Sequence, residues 1–138
     1  MSDTTFTDAY LAISAVKARY CRLLDTKDWS GFAALLTQDF ELDVSEGTSV
    51  PVIHGRDAAV TQIRSSMASA RTAHQVHSPE ITLDGANRAQ VIWAMQDRLL
   101  WPDGNTMTGF GHYHEEYRRT ADGWKIANLK LTRLILEK

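Results

Sequence analysis

The chain has little of several things, and each shortage narrows the options. It holds one cysteine, Cys21, in 138 residues, so no internal disulfide can form; a reducing, cytoplasmic setting is expected. It has three prolines and no Pro-, Gly- or Ser-rich stretch, so no linker divides it, and residues 1–138 are read as one domain. No apolar run approaches the ~18 residues that would span a bilayer, so no membrane association is expected. Neither sign of charge dominates: 15 Lys and Arg stand against 17 Asp and Glu, a formal net charge of −2. That balance, with no local basic run, gives no electrostatic case for nucleic acid. The acidic, polar start, Ser2-Asp3-Thr4-Thr5, does not read as a signal peptide.

What is present is ordinary globular composition, 43% hydrophobic and 23% charged. Thr7-Asp8 offers an N-cap, and Tyr10, Ile13, Val16, Lys17, Tyr20 and Leu24 follow at helical spacing, predicting a helix from Asp8 to Leu24. Asp28-Trp29-Ser30-Gly31 breaks it, and Phe32, Leu35 and Leu36 mark a short second helix. The alternation from Asp39 to Val44 predicts a half-buried strand. Pro51 to Gly55 reads as a short strand and turn, and a third helix starts at Arg56 and runs to Ser69. Then come four strand-like segments, 73–83, 88–101, 107–119 and 124–136, separated by turns at Asp84-Gly85, Asp103-Gly104 and Asp122-Gly123. Pro79 inside the first marks an edge or a bulge. Helices followed by a meander predict an α+β fold with helices on one face of a mainly antiparallel sheet.

Chemistry is concentrated in a few polar residues set among apolar ones. Val91, Trp93, Met95, Asp97, Leu99 and Trp101 share one strand face by the two-residue period. Asp97 is therefore a carboxylate in an apolar row, either at an open strand edge beside an arginine such as Arg98 or buried with a partner. His74 and His77 would point to opposite faces of an extended segment, which argues against chelation. His112, His114 and Glu116 share a face, and exposed strand polarity explains them as well as a metal does. Cys21 has no evident base beside it, so a nucleophilic role is not expected. No phosphate loop, nucleophile elbow or dinucleotide fingerprint occurs. Gly109 and Gly111 in a strand suggest bulges or sheet bending.

The order Tyr20, Asp25, Asp28-Trp29, Phe40, Gly55, His74, Asp97, Gly109-Phe110-Gly111, Asp122-Gly123-Trp124-Lys125-Ile126 resembles the SnoaL-like family of the nuclear-transport-factor-2-like superfamily. The resemblance runs from Thr7 to Leu136 and implies a cone in which N-terminal helices pack on a curved sheet. It is nearest to the dehydratase-like branch, with scytalone and bile-acid 7α-dehydratases. That branch implies a His–Asp dyad on His74 and Asp25, a helix tyrosine at Tyr20, a strand carboxylate at Asp97 and an arginine at Arg133. Trp93, Met95, Leu99 and Phe110 would line the substrate cavity. The dehydrochlorinase branch carries a basic residue where Tyr20 stands and an arginine where this chain has Leu129, which disfavours halide elimination.

What the resemblance implies is a lyase or isomerase without cofactor or metal, working by general acid–base chemistry on an apolar, oxygenated ring such as a polyketide or steroid. The alternatives it leaves are a non-catalytic small-molecule-binding protein and an accessory subunit like a dioxygenase β subunit. A homo-oligomer, dimer or trimer, is expected through the open sheet face, where Ile92, Leu100, Tyr113 and Tyr117 would form an apolar patch.

Overall fold

A computed structural model describes residues 3–138. Helix α1 spans Asp3–Asp25, α2 Trp29–Ala33 and α3 Arg56–Met67. The strands are β1 Leu36–Asp43, β2 Ile53–His54, β3 Arg71–Leu83, β4 Arg88–Leu100, β5 Thr106–Thr120 and β6 Gly123–Glu137. They form one six-stranded sheet in the order β2-β1-β6-β5-β4-β3. All pairings are antiparallel except β1 with β6. The fold is the α+β cone the sequence predicts, with one parallel joint that a simple meander does not contain.

Helix α1 buries Ala9, Ile13, Val16, Lys17, Tyr20, Cys21 and Leu24, a single stripe at three- and four-residue spacing. It begins at Asp3 rather than Asp8, so Thr7 and Asp8 lie within the helix and cap nothing. Its C-terminus closes with Lys27 N–H on the Leu24 carbonyl and Asp28 N–H on the Leu23 carbonyl, at 3.2 and 2.9 Å. This double closure requires a left-handed residue, and Lys27 fills it at φ 63° where glycine is usual. Asp28 then caps α2, accepting from Gly31 N–H at 3.0 Å. The second helix therefore starts at Trp29, and Leu36, expected within it, opens β1 instead.

The sheet's concave face carries Ala89, Val91, Trp93, Met95, Asp97 and Leu99 from β4, all buried. Register places Tyr113 opposite Trp93 and Tyr117 opposite Ala89, so both tyrosines are on this inner face and are 3% and 0% exposed. The expectation that they form an outer patch is thus corrected. His112, His114 and Glu116 alternate with them and take the outer face, as two-residue periodicity requires. β3 is an edge strand, and its register shifts between His77 and Glu80, around Pro79 and the positive-φ Ser78. No helix among the described residues is long and apolar enough to cross a membrane.

Candidate active site

The dyad is built where α1 ends against β3. Asp25 occupies the last turn of α1, and the left-handed closure at Lys27 fixes its direction. One carboxylate oxygen, Oδ1, meets His74 Nδ1 at 2.7 Å and accepts from Thr72 Oγ1 at 2.8 Å. The other, Oδ2, accepts from the His74 backbone N–H at 2.8 Å. Lys27 Nζ in turn donates to Thr72 Oγ1 at 2.9 Å. Burial pushes the Asp25 carboxyl up, but hydrogen bonds from the His74 ring, the His74 backbone and Thr72 outweigh it and hold the group below its ordinary 3.8. The carboxylate is therefore ionised, and it orients the imidazole through Nδ1 while Nε2 has no hydrogen-bond partner among the described residues.

His74 and Asp97 are cross-strand neighbours, and Asp97 faces Gly109 on its other side. Arg133 reaches over from β6 to grip Asp97 with both terminal nitrogens, Nη1 and Nη2, at 2.8 and 3.1 Å. Asp97 is thus buried with a partner, and that partner is Arg133 rather than a neighbour such as Arg98, which bonds Thr108 instead. Glycine leaves room for this pair: a Cβ on Gly109 would collide with the Arg133 guanidinium and the Asp97 carboxylate and force them to shift. The register shifts between Phe110 and Gly111, and a Cβ on Gly111 would strike the Thr132 carbonyl.

Tyr20, His74, Asp97, Arg133 and Leu99 all line one cavity of about 240 Å³. Its remaining wall is mainly apolar, from Leu42, Ile63, Met67, Trp101, Leu129 and Leu131. The other three expected lining residues lie elsewhere. Trp93 packs below the wall and donates to Tyr117 Oη at 3.3 Å. Met95 is buried beside the Arg133 guanidinium, Sδ to Nη1 3.9 Å. Phe110 projects from the outer face, 37% exposed, because it lies between Gly109 and Gly111 on the alternating strand. A second, larger groove of about 630 Å³ runs beside Arg19, Arg119 and Trp124 and holds none of the dyad.

Sequence reasoning missed a buried ionic cluster behind the cavity. Lys17 Nζ meets Glu115 Oε2 at 2.6 Å with both side chains fully buried. Glu115 Oε1 accepts from Tyr117 Oη at 2.8 Å. A signal existed: Lys17 stands in the apolar stripe of α1, and Glu115 shares the inward parity of Tyr113 and Tyr117. Burial also pushes the Cys21 thiol up to about 11, which favours the protonated, unreactive form at neutral pH. No group of three or more metal-ligating side chains occurs among the described residues.

Residues 6–130 match the family described as the SnoaL-like domain. The probable cyclase FGR4 of Gibberella zeae is 24% identical, covering 92% of this chain and 92% of that protein. Among solved structures, a candidate scytalone dehydratase of Novosphingobium aromaticivorans superimposes with a TM-score of 0.90 at 19% identity, covering 99% and 91% of the two chains. The hexachlorocyclohexane dehydrochlorinase LinA-type3 of Novosphingobium barchaimii does so at 0.85 with 15% identity, covering 99% and 93%. At such identities the likeness establishes the shared fold and leaves the reaction to the site.

Proposed function

Because this chain belongs to the SnoaL-like domain family, we propose that it is a cofactor-independent lyase or isomerase acting by general acid–base catalysis. The observation that carries this reading is the asymmetry of His74. Its Nδ1 is held by an ionised carboxylate at 2.7 Å, while the ring lines a mainly apolar cavity with Nε2 unpartnered. A neutral imidazole so held can take a proton at Nε2, and Asp25 stabilises the cation that results. No nucleophile is needed.

The other groups have distinct roles. Tyr20 supplies a phenol for a leaving hydroxyl or an enolate oxygen. Asp97 has both oxygens taken by Arg133, so its role is to aim the guanidinium at the substrate rather than to act as base. Apolar walls with few polar groups select a flat, oxygenated ring. The volume of about 240 Å³ favours a compact polyketide-like ring over a full steroid skeleton. The test is deuterium wash-in at the carbon beside the carbonyl of cyclic ketones, followed by NMR in D2O. Exchange that requires His74 and Asp25 supports the reading; exchange unaffected by His74→Ala sinks it.

Assembly belongs to the same reading. Phe110 and Ile135, paired across β5 and β6, are 37 and 48% exposed, and the neighbouring Leu134 is 71% exposed. An apolar patch of this kind supports a homo-oligomer, and a monomer by light scattering at micromolar concentration would remove that part. A cytoplasmic location fits the single, buried cysteine.

A further inference from the structure

Behind the cavity wall, Lys17 Nζ lies 3.7 Å from the ring centroid of Tyr20 and 3.8 Å from that of Tyr113. The two rings meet edge to face, 6.2 Å apart. The ammonium is pinned from the far side by Glu115, whose second oxygen is taken by Tyr117, which is taken by Trp93. Lys17, Glu115, Tyr117 and Trp93 are thus all partnered within that layer. The hydroxyls of Tyr20 and Tyr113 are the exception: neither has a hydrogen-bond partner among the described residues, although each residue is only 3% exposed. Buried phenols ordinarily find a partner. Among the described residues no enclosed side-chain oxygen or nitrogen is left unpaired, so these two hydroxyls are not sealed in, and both residues line the cavity that holds His74.

Building on the acid–base reading above, we propose that Tyr20 and Tyr113 form a two-donor subsite for a substrate oxygen that gains negative charge, polarised from behind by Lys17. The chemical class is a ring ketone passing to its enolate, or a phenolate. When His74 Nε2 takes the proton from the carbon beside the carbonyl, the C–H electron pair forms the new C=C bond. The carbonyl π pair moves onto oxygen, where the two phenols donate to it without giving up their protons. Burial, reinforced by Glu115 for Tyr20 and by Tyr20 for Tyr113, holds both phenols well above their ordinary range, so they remain donors. The Glu115–Lys17 pair is a fixed dipole with its positive end against both rings, and in a dry wall such a dipole acts with little screening. Tyr113 joins Tyr20 as a substrate-contacting residue, and Lys17 is a positioning residue.

The test reads the ionisation of a bound probe and needs no turnover. 2-Naphthol, titrated into the protein and followed by the absorbance of its anion, is compared with naphthalene, which lacks the oxygen. Naphthol is expected to bind as the anion at a pH where the free probe is neutral. Tyr113→Phe, which keeps the ring, should weaken naphtholate binding ~10²-fold, the scale for one donor at an oxyanion, and leave naphthalene binding unchanged. Tyr20→Phe gives the same comparison should Tyr113→Phe fold poorly. The double variant Lys17→Met/Glu115→Gln removes the dipole without leaving a lone buried charge and should raise the pH at which bound naphthol ionises. Neutral naphthol in the wild-type site, no naphthol binding where naphthalene binds, or equal losses for both probes would each overturn the subsite. Repeating the titration in His74→Ala separates the two ideas. Retained naphtholate binding there, beside wild-type protein that exchanges no ketone proton, would refute the general base and leave the subsite standing.

Discussion

Among the described residues, helix α1 reaches the sheet through two ionic contacts about two turns apart, and they differ in what a third molecule can touch. Lys17 and Glu115 are both 0% exposed at the side chain and have no vacant site facing a ligand. Asp25 keeps 22% of its side chain exposed, and its partner His74 forms part of the cavity wall. In the first contact the charges satisfy each other and act outward only as a field. The second leaves one imidazole nitrogen uncommitted, and that is where a proton can go. The same helix therefore carries one member of a sealed ion pair and one member of an open one, distinguished by enclosure rather than by residue type.

The largest expected effect tests the open contact. His74→Ala should cut turnover or exchange by ~10²–10⁴-fold, the span of a general base, with folding retained by circular dichroism; Asp25→Asn should also be damaging. Next comes the closed contact. Lys17→Met alone leaves Glu115 buried without a counter-charge and should cost ~3–5 kcal/mol in urea unfolding, whereas Lys17→Met/Glu115→Leu should recover most of that loss. If the single and double variants are equally unstable, the pair is not an enclosed ion pair in the sense argued. Gly109→Ala drives a methyl into the Asp97–Arg133 pair and should cost ~1–3 kcal/mol by overpacking, with ligand binding falling alongside.

Smaller effects sharpen the contrast. The Asp25 carboxyl titrates lower in the folded protein than in the unfolded chain. Its contribution to stability is therefore present above its ordinary 3.8 and is lost as pH falls through the lower folded value. Tm measured from pH 6 downward should show this component in wild type and lack it in Asp25→Asn. The smallest change is Lys27→Gly. It relieves left-handed strain of roughly 1 kcal/mol but loses the bond to Thr72, so net stability should move by less than that figure.

Much of this architecture is legible in the chain because local chemistry marks it. The α1 stripe, the three Asp-Gly turns and the Pro79 irregularity all follow from residue type and spacing. Asp25 and His74 came through a family pattern, since no local rule joins two residues 49 positions apart. Tyr113 was misplaced even though the outward set of His112, His114 and Glu116 already implied its inward parity. Phe110 was misplaced for the same reason, as Gly109 and Gly111 mark the inner face on either side of it. The Lys17–Glu115 pair spans 98 positions; a lysine in an apolar stripe announces a buried partner without saying which one. The parallel β1–β6 joint has no sequence mark at all, because it depends on where the last strand returns.

The bare backbone at Gly109 has a mechanical consequence. β4 and β6 share no backbone ladder, since β5 lies between them, yet the Arg133 guanidinium crosses β5 at this point to hold Asp97. Three strands are thereby clamped at one level, and the clamp is also part of the cavity wall. Beyond it, the end of β6 should not fray independently. Amide hydrogens of β6 near Arg133 should exchange with solvent together with those of β4 near Asp97, as one cooperative opening unit. Opening the cavity wall and loosening the chain's last strand are then a single event.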